Sequence, residues 1–355
     1  MMTTLLHVFS TFALGGPQIR FAQLVNALPG HHQHVVISLD GRLDAASRLA
    51  PHVEITYLTM PELKPLSLLE RLKQIYQTIR RYRPEILMTY NWGAIEWALC
   101  NRFAGLCRGI HWEDGFNPDE ATRLYQRRNL FRRLALGGRT EVVVPSQTLM
   151  RIARQQWHIP PVRLRYFPNG IEMPAQITPT NSAKKPTLIT LASLRKEKNL
   201  PRLIKTVAAH APDCRLLIGG DGPMLNELTT YVSKHHLSNQ IQLAGRIDDV
   251  WDFLAQGDIF CLSSDTEQMP LSVLEAMGAG LPVLATDVGD VKSMLSAANH
   301  PFIVQPSAYA HAMAQLLATP DQWQPIGQAN QQKAKQEYSF QTMLSNFCRL
   351  ISPNR

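Results

Sequence analysis

Short apolar runs alternate with longer amphipathic stretches along most of the chain. Leu5-Leu6-His7-Val8-Phe9 reads as a buried strand. A loop through Gly15-Gly16-Pro17 then leads into a stretch whose apolar residues Phe21, Leu24, Val25 and Leu28 recur at helical spacing. Pro17 suits a first helical turn and Gly30 the exit. His34 to Leu39 predicts a second strand, Leu69, Leu72, Tyr76 and Ile79 the face of another helix, and Glu85 to Tyr90 the next strand. Strand, helix, strand in this rhythm builds a parallel sheet.

The rhythm breaks between Phe167 and Thr187, where Pro, Gly, Asn, Ser and Thr cluster without periodicity, and it restarts afterwards. Strands are expected at Thr187 to Ala192, Arg215 to Ile218, Ile241 to Leu243, Ile259 to Leu262 and Pro282 to Ala285, with Leu200, Leu203, Ile204 and Val207 lining a helix after the first. The expected organisation is therefore a domain over 1–170, a linker over 171–186, a second domain over 187–335 and a final helix over 336–355 that crosses back to the first domain. Each domain reads as a doubly wound, Rossmann-like α/β unit, the two facing across a cleft. In such sheets ligands bind beyond the carboxyl ends of the strands, so the loops after strands are where chemistry is to be sought.

Composition narrows the class. At 355 residues, 45% hydrophobic and 18% charged, the chain can bury two cores. No run approaches the roughly 18 apolar residues of a bilayer span. Met1 to Ser10 does not read as a secretory leader, because His7 interrupts it and no basic region precedes it. Five cysteines without C-x-x-C spacing argue against a disulfide framework or a zinc site, and a reducing cytoplasm is the expected setting. The net charge of +8 lies wholly in the first half: residues 1–175 hold 21 Lys and Arg, 19 of them Arg, against 13 acids, whereas the remainder is balanced at 15 of each. Such a surplus attracts nucleic acid, an anionic membrane or a phosphate-bearing substrate. No RNA- or DNA-binding motif accompanies it.

Three loops carry candidate chemistry. In Ser263 to Gly280 a strand runs into a helix, with Pro270 suited to the first helical position and Gly280 to the exit. Glu267 lies in the loop and Glu275 one to two turns into the helix, while the backbone around Met269, Pro270 and Leu271 forms a helix start suited to an anion. Two carboxylates flanking an anion site fit a ligand with phosphates between two polyols, the layout of a nucleotide sugar. Leu194 to Asn199 places Arg195 and Lys198 directly after a strand, where cations meet a diphosphate. The Gly15-Gly16 loop lets backbone approach a phosphate or sugar, and its lack of G-x-G-x-x-G spacing disfavours NAD.

Taken in order, Gly15-Gly16, PNGIE at Pro168 to Glu172, LRKEKNL at Leu194 to Leu200, GGDGP at Gly219 to Pro223, AGR at Ala244 to Arg246 and EQMPLSVLEAMGAGLPV at Glu267 to Val283 resemble the retaining glycosyltransferases of family 4, which have the two-domain GT-B architecture. The resemblance extends over nearly the whole chain. It implies a donor site in the second domain, with Glu275 on the ribose hydroxyls, Glu267 on the hexose near the anomeric carbon, Arg195 and Lys198 on the diphosphate, Gly220 in the donor loop and Arg246 beside the nucleobase. No metal or other cofactor is implied, and the donor is a UDP- or GDP-sugar. One departure stands out: the family's arginine five residues before the lysine, after a glycine, is replaced by Ala192-Ser193.

The first domain is then expected to hold the acceptor, through Asn91 and Trp92 after one strand and Glu113 and Asp114 after another, with His111 at the position of the family's histidine near the reacting carbon. Asp119 to Arg139 contains Arg123, Arg127, Arg128, Arg132, Arg133 and Arg139 interleaved with Leu124, Leu130, Phe131 and Leu134, a pattern suited to an anionic membrane surface. Arg80, Arg81 and Arg83 extend it. These features predict a cytoplasmic, peripherally membrane-bound transferase that builds a glycan on a lipid-linked acceptor. A catalytically silent GT-B subunit of a polysaccharide assembly complex is the rival from another class, and a GT-B epimerase or phosphorylase the rival enzyme.

Overall fold

The apolar runs form two separate parallel sheets in the computed structural model, which describes residues 3–60, 65–116, 120, 125–175 and 185–352. The chain divides into one unit of residues 1–168 with 344–355 and another of 169–343. In the first unit the strands are β1 (Thr3–Phe9), β2 (His32–Ser38), β3 (Ile55–Leu58), β4 (Ile86–Tyr90), β5 (Arg108–Trp112), β6 (Glu141–Val144) and β7 (Leu164–Tyr166), in the sheet order β3-β2-β1-β4-β5-β6-β7. Leu6 lies opposite Val35 of β2 on one side and Leu87 of β4 on the other. Leu5 to Phe9 are all buried, as a strand covered by helices on both faces requires. The order turns at β1 and β4, so the loops after these two strands flank the switch point where α/β sheets hold ligands.

The second unit repeats the plan with β8 (Thr187–Leu191), β9 (Arg215–Gly219), β10 (Ile241–Gly245), β11 (Ile259–Leu262), β12 (Val283–Thr286) and β13 (Ile303–Val304), in the order β10-β9-β8-β11-β12-β13. Its switch point lies between β8 and β11. Leu188, Leu203, Ile204, Val207, Leu216 and Ile218 belong to the core on one face, and Ile189, Leu217, Phe260, Val273, Leu274 and Met277 to that on the other. The helix Leu271–Gly278 ends in a Schellman motif: Gly280 N–H bonds Met277 O at 3.0 Å and Leu281 N–H bonds Ala276 O at 3.0 Å.

Several expectations shift. The helix Leu68–Tyr82 buries Ile75 and Ile79, leaving Leu69 79% and Tyr76 37% exposed, so its core face is rotated from the predicted one. Pro270 is the residue before the helix rather than its first. Ile171, placed in the linker by composition, pairs with Ser339 and belongs to the second unit; residues 176–184 of that stretch lie outside the described residues. The last helix is Phe340–Ile351, and Arg108 donates to the carbonyls of Leu350 at 2.7 Å and Ser352 at 2.8 Å within the first unit. A buried chain of polar rings went unpredicted: His7 Nε2 meets His34 Nδ1 at 3.0 Å and His7 Nδ1 meets Tyr90 Oη at 3.1 Å. Burial pushes His7 well below the usual imidazole range and His34 down to about 4, so both stay neutral at pH 7.

Candidate functional site

In the second unit, adjacent strands β8 and β11 each deliver one charged residue. Lys198 Nζ donates to Glu267 Oε1 at 2.6 Å, and Ser264 Oγ donates to the same oxygen at 2.7 Å. The lysine side chain is 21% exposed and the glutamate 9%, so the pair is sheltered from full solvent screening while remaining reachable from outside.

The two loops are tied to each other and to their neighbours. Ser263 Oγ donates to Lys198 O at 3.0 Å and Asp265 N–H to Glu197 O at 2.8 Å. Thr286 Oγ1 donates to Ser264 O at 2.6 Å. Gly289, at φ +56°, presses its α-carbon against the carbonyl of Glu267, where a β-carbon would overlap that oxygen. On the other side Gly220, at φ +126°, packs against the Ala192 carbonyl with equally little room, in a backbone region that only glycine adopts without cost.

Glu275 stands on the helix after Glu267's loop, partly exposed and without a hydrogen-bond partner among the described residues. Burial pushes its carboxyl from 4.5 up to about 7. A carboxylate held half out of water with no donor is primed to accept from a ligand's hydroxyls. Met269 is buried, and its carbonyl accepts from Asn169 Nδ2 at 3.0 Å. Leu271 begins the helix. Arg195 is exposed with no side-chain partner among the described residues, and Arg246, also exposed, lies 3.6 Å from Asp248.

The first unit treats its candidates differently. His111 is fully buried, Nδ1 lying 2.8 Å from Thr89 Oγ1 and Nε2 3.6 Å from Glu113 Oε2. Glu113 is also fully buried and accepts from Arg132 Nε at 3.2 Å, its second oxygen having no hydrogen-bond partner among the described residues. Asp114 pairs with Arg20 at 2.7 Å, and the Arg20 guanidinium lies 4.7 Å from the Trp112 ring centre. Both carboxylates thus already face buried guanidinium groups instead of standing open. Asn91, at φ 58° and ψ −177°, holds a backbone conformation costly for a side-chain-bearing residue, and its Oδ1 accepts from Asp114 N–H at 2.7 Å, joining the loops after β4 and β5. Trp92 lies beneath Arg128 and Arg132, whose guanidinium carbons are 5.4 and 4.9 Å from its ring centre. Gly15 precedes, and Gly16 opens, the helix Gly16–Ala27.

The arginine-rich segment requires the largest correction. Its helix is Gln126–Ala135, and Arg132, expected on a membrane, is wholly buried. Its guanidinium meets Glu113 and Glu120 and is ringed by Trp92, Phe116 and Trp157 at 4.9 to 5.2 Å. Arg128 is 16% exposed and pairs with Glu120 at 3.0 Å. Among the described arginines of the segment, Arg127, Arg133 and Arg139 are exposed; Arg123 lies outside the described residues. Spacing concealed this because an amphipathic stripe of arginines reads as solvent-facing, and the partner Glu113 is far away in sequence. Also missed were Ser264, Asp265, Arg202 and Arg20, which are polar residues without a motif of their own.

Comparison with known proteins agrees with this geometry. The family model described as glycosyltransferase family 4 matches residues 14–173, and that described as glycosyl transferases group 1 matches residues 174–333. The N-acetyl-alpha-D-glucosaminyl L-malate synthase of Bacillus anthracis is 24% identical over 171 residues, 47% of this chain and 45% of the relative. An uncharacterized glycosyltransferase of Methanocaldococcus jannaschii is 26% identical over 250 residues, 64% of this chain and 61% of the relative. The alignments therefore span less than two thirds of either relative. Among solved structures, Anabaena HepE in complex with UDP and glucose superposes with a TM-score of 0.80 at 16% identity, covering 98% of this chain and 99% of that one. With two Rossmann-like units matched in turn by the two family models, the chain belongs to the group 1, family 4 glycosyltransferases of GT-B fold.

Proposed function

We propose that this protein is a retaining, metal-independent hexosyltransferase that moves a sugar from a UDP- or GDP-hexose onto a lipid-linked glycan at the inner face of the cytoplasmic membrane. The observation that carries the reading is the Lys198–Glu267 pair at the switch point of the second sheet, with Glu275, whose carboxyl has no hydrogen-bond partner among the described residues, on the following helix. Glu275 accepts from the ribose hydroxyls, Glu267 from hexose hydroxyls near the anomeric carbon, and Lys198 turns from Glu267 toward the diphosphate. Arg195, exposed nearby, supplies the second cation in place of the arginine that Ala192-Ser193 lacks. Gly220 and the backbone of Met269, Pro270 and Leu271 line the donor, and Arg246 borders the base. HepE, which binds UDP and glucose, supports UDP as the first nucleotide to test.

In the transfer the bond between the anomeric carbon and the β-phosphate oxygen breaks, its electron pair going to the phosphate. The acceptor oxygen forms the new bond on the same face, and its proton passes to the departing phosphate. Negative charge grows on the leaving group while the carbon becomes oxocarbenium-like, so a fixed cation at Lys198 stabilises the transition state more than the ground state. On the acceptor side Asn91 and Trp92 meet the acceptor, with His111 and Glu113 as buried support behind them and Asp114 fixing the loop through Arg20. Membrane contact rests on Arg127, Arg133 and Arg139 with the exposed Leu130 (67%) and Leu134 (44%), extended by Arg80, Arg81 and Arg83. Among the described residues no helix is long and apolar enough to cross a membrane.

Thermal unfolding with UDP, GDP, ADP and TDP in turn tests the donor site. A nucleotide at 100 times its dissociation constant stabilises by about 2.7 kcal/mol. A selective shift by UDP or GDP is expected, and no shift with any of the four up to millimolar concentration overturns the transferase reading in favour of the silent subunit.

A further inference from the structure

Four residues downstream of Lys198, Arg202 sits in the first turn of the helix Leu200–His210, its side chain 21% exposed and that of its partner Asp265 48%. Its Nη1 donates to Ser263 O at 2.7 Å and its Nη2 to Asp265 Oδ1 at 2.6 Å. Asn199, which caps this helix in a left-handed conformation at φ 44°, donates Nδ2 to both Asp265 oxygens at 3.0 and 3.1 Å. Asp265 returns the connection with its own N–H to Glu197 O at 2.8 Å. Arg202, Asn199 and Asp265 therefore bracket Lys198 on one loop and Glu267 on the other, joining two segments that are more than 60 residues apart.

We infer that Arg202 and Asp265 form a positioning strut that fixes Lys198 and Glu267 at bonding distance, and that this strut, not the two reacting-site residues themselves, sets where a sugar diphosphate is gripped. Two features carry the inference. Arg202 spends its planar fork on a carbonyl and a carboxylate of the same loop, a bidentate grip that lysine cannot reproduce. The bonds it makes bracket Ser264, whose hydroxyl is the second donor to Glu267. Without the strut, the loops are still joined by the Ser263 hydroxyl on Lys198 O and by Asp265 N–H on Glu197 O, but the side-chain grip that brackets Lys198 and Glu267 is gone. The donor-site reading gives Arg202 and Asp265 no contact with the donor, and their role is that of positioning residues. The role given to Lys198 and Glu267 rests on the donor-site reading above.

The test compares Arg202→Met, Arg202→Lys, Asp265→Ala and Asp265→Asn with the unaltered protein, each first shown to fold by its unfolding transition. Acetylation of Lys198 by limiting acetic anhydride, followed by peptide mass spectrometry, reports the strut without any ligand. Its rate rises about fivefold in Arg202→Met and in Asp265→Ala, the equivalent of losing ~1 kcal/mol of ion pairing. Arg202→Lys lies between. UDP and UMP, or GDP and GMP, then separate grip on the diphosphate from grip on the nucleoside: diphosphate affinity falls about tenfold while monophosphate affinity changes less than twofold. The double variant loses no more than either single one, because the two residues act together. Unchanged Lys198 reactivity in both Arg202→Met and Asp265→Ala overturns the strut. Equal weakening of mono- and diphosphate also overturns it, in favour of general loosening. If the unaltered protein binds none of these nucleotides, the donor-site reading fails, and Lys198 reactivity alone still decides the strut.

Discussion

Replacing Glu275 by glutamine separates what this residue costs the fold from what it does for a ligand. Its carboxyl ordinarily titrates at 4.5 and is pushed by burial to about 7 in the folded protein. Between those values the native state keeps a proton that the unfolded chain has released, so stability is greatest below 4.5 and declines as pH rises to about 7. At 1.36 kcal/mol per unit the full difference is on the order of 3 kcal/mol, and the side chain's partial contact with water reduces it toward about 1 to 2. Glu275→Gln removes the penalty. At pH 8 it should therefore unfold a few degrees above the unaltered protein, at about 2–4 °C per kcal/mol, and the gap should close at pH 4.5. Nucleotide binding should move the other way. The carboxylate must be ionised to accept two hydroxyls, so affinity for UDP rises up to tenfold per pH unit below about 7 and levels off above. In the glutamine variant the affinity is low and independent of pH. The assay is differential scanning fluorimetry from pH 4.5 to 8.5, with and without UDP. A variant no more stable than the parent at pH 8, or a gap that does not depend on pH, refutes burial as the origin of the shift.

Three further outcomes follow from the same geometry. Lys198→Ala leaves Glu267 with Ser264 as its donor and removes the cation opposite the leaving group, so kcat for sugar transfer should fall by about 10² to 10³, read from product formation at saturating donor. Arg132→Met strands Glu113 as a buried charge without its guanidinium, leaves Glu120 with Arg128, and should destabilise the first unit by about 3 to 5 kcal/mol in urea titration, while binding to anionic vesicles is unchanged in whatever fraction remains folded. Arg127→Glu and Arg133→Glu, both on exposed positions, should instead weaken sedimentation with anionic vesicles by about fivefold or more each at low salt, an effect that disappears at high salt.

The strands with short apolar runs were legible: β1, β2, β4, β8, β9, β10, β11 and β12 fall within a residue or two of their predicted positions. A strand ahead of Glu113 was expected without bounds, and β3, β6, β7 and β13 were not expected. Arg108 and His111 interrupt β5, and their side chains meet residues distant in sequence, Glu141 for Arg108 and Thr89 at His111 Nδ1. β3 has a mixed burial pattern, and β13 has two residues. Lys198, Glu267 and Glu275 were legible because local signals mark each one: a strand end, a loop and a helix start. Arg132 was not, since nothing near it in sequence reveals a cage made by Trp92, Phe116 and Trp157. Burial of charge is decided by long-range partners, and a single sequence displays only short-range ones.

The two glycines that press backbone against backbone on either side of the Lys198–Glu267 pair bear on how this site can diversify. At Gly220 and Gly289 no side chain exists to alter, and adding one forces the main chain of Ala192 or Glu267 to move. In a saturation mutagenesis map both positions should stand out as intolerant to every replacement, although neither presents a chemical group. The exposed arginines nearby, Arg195 and Arg246, have room to vary. What this site accepts would thus be altered by exchanging residues on the rim, while the main-chain wall itself stays as it is.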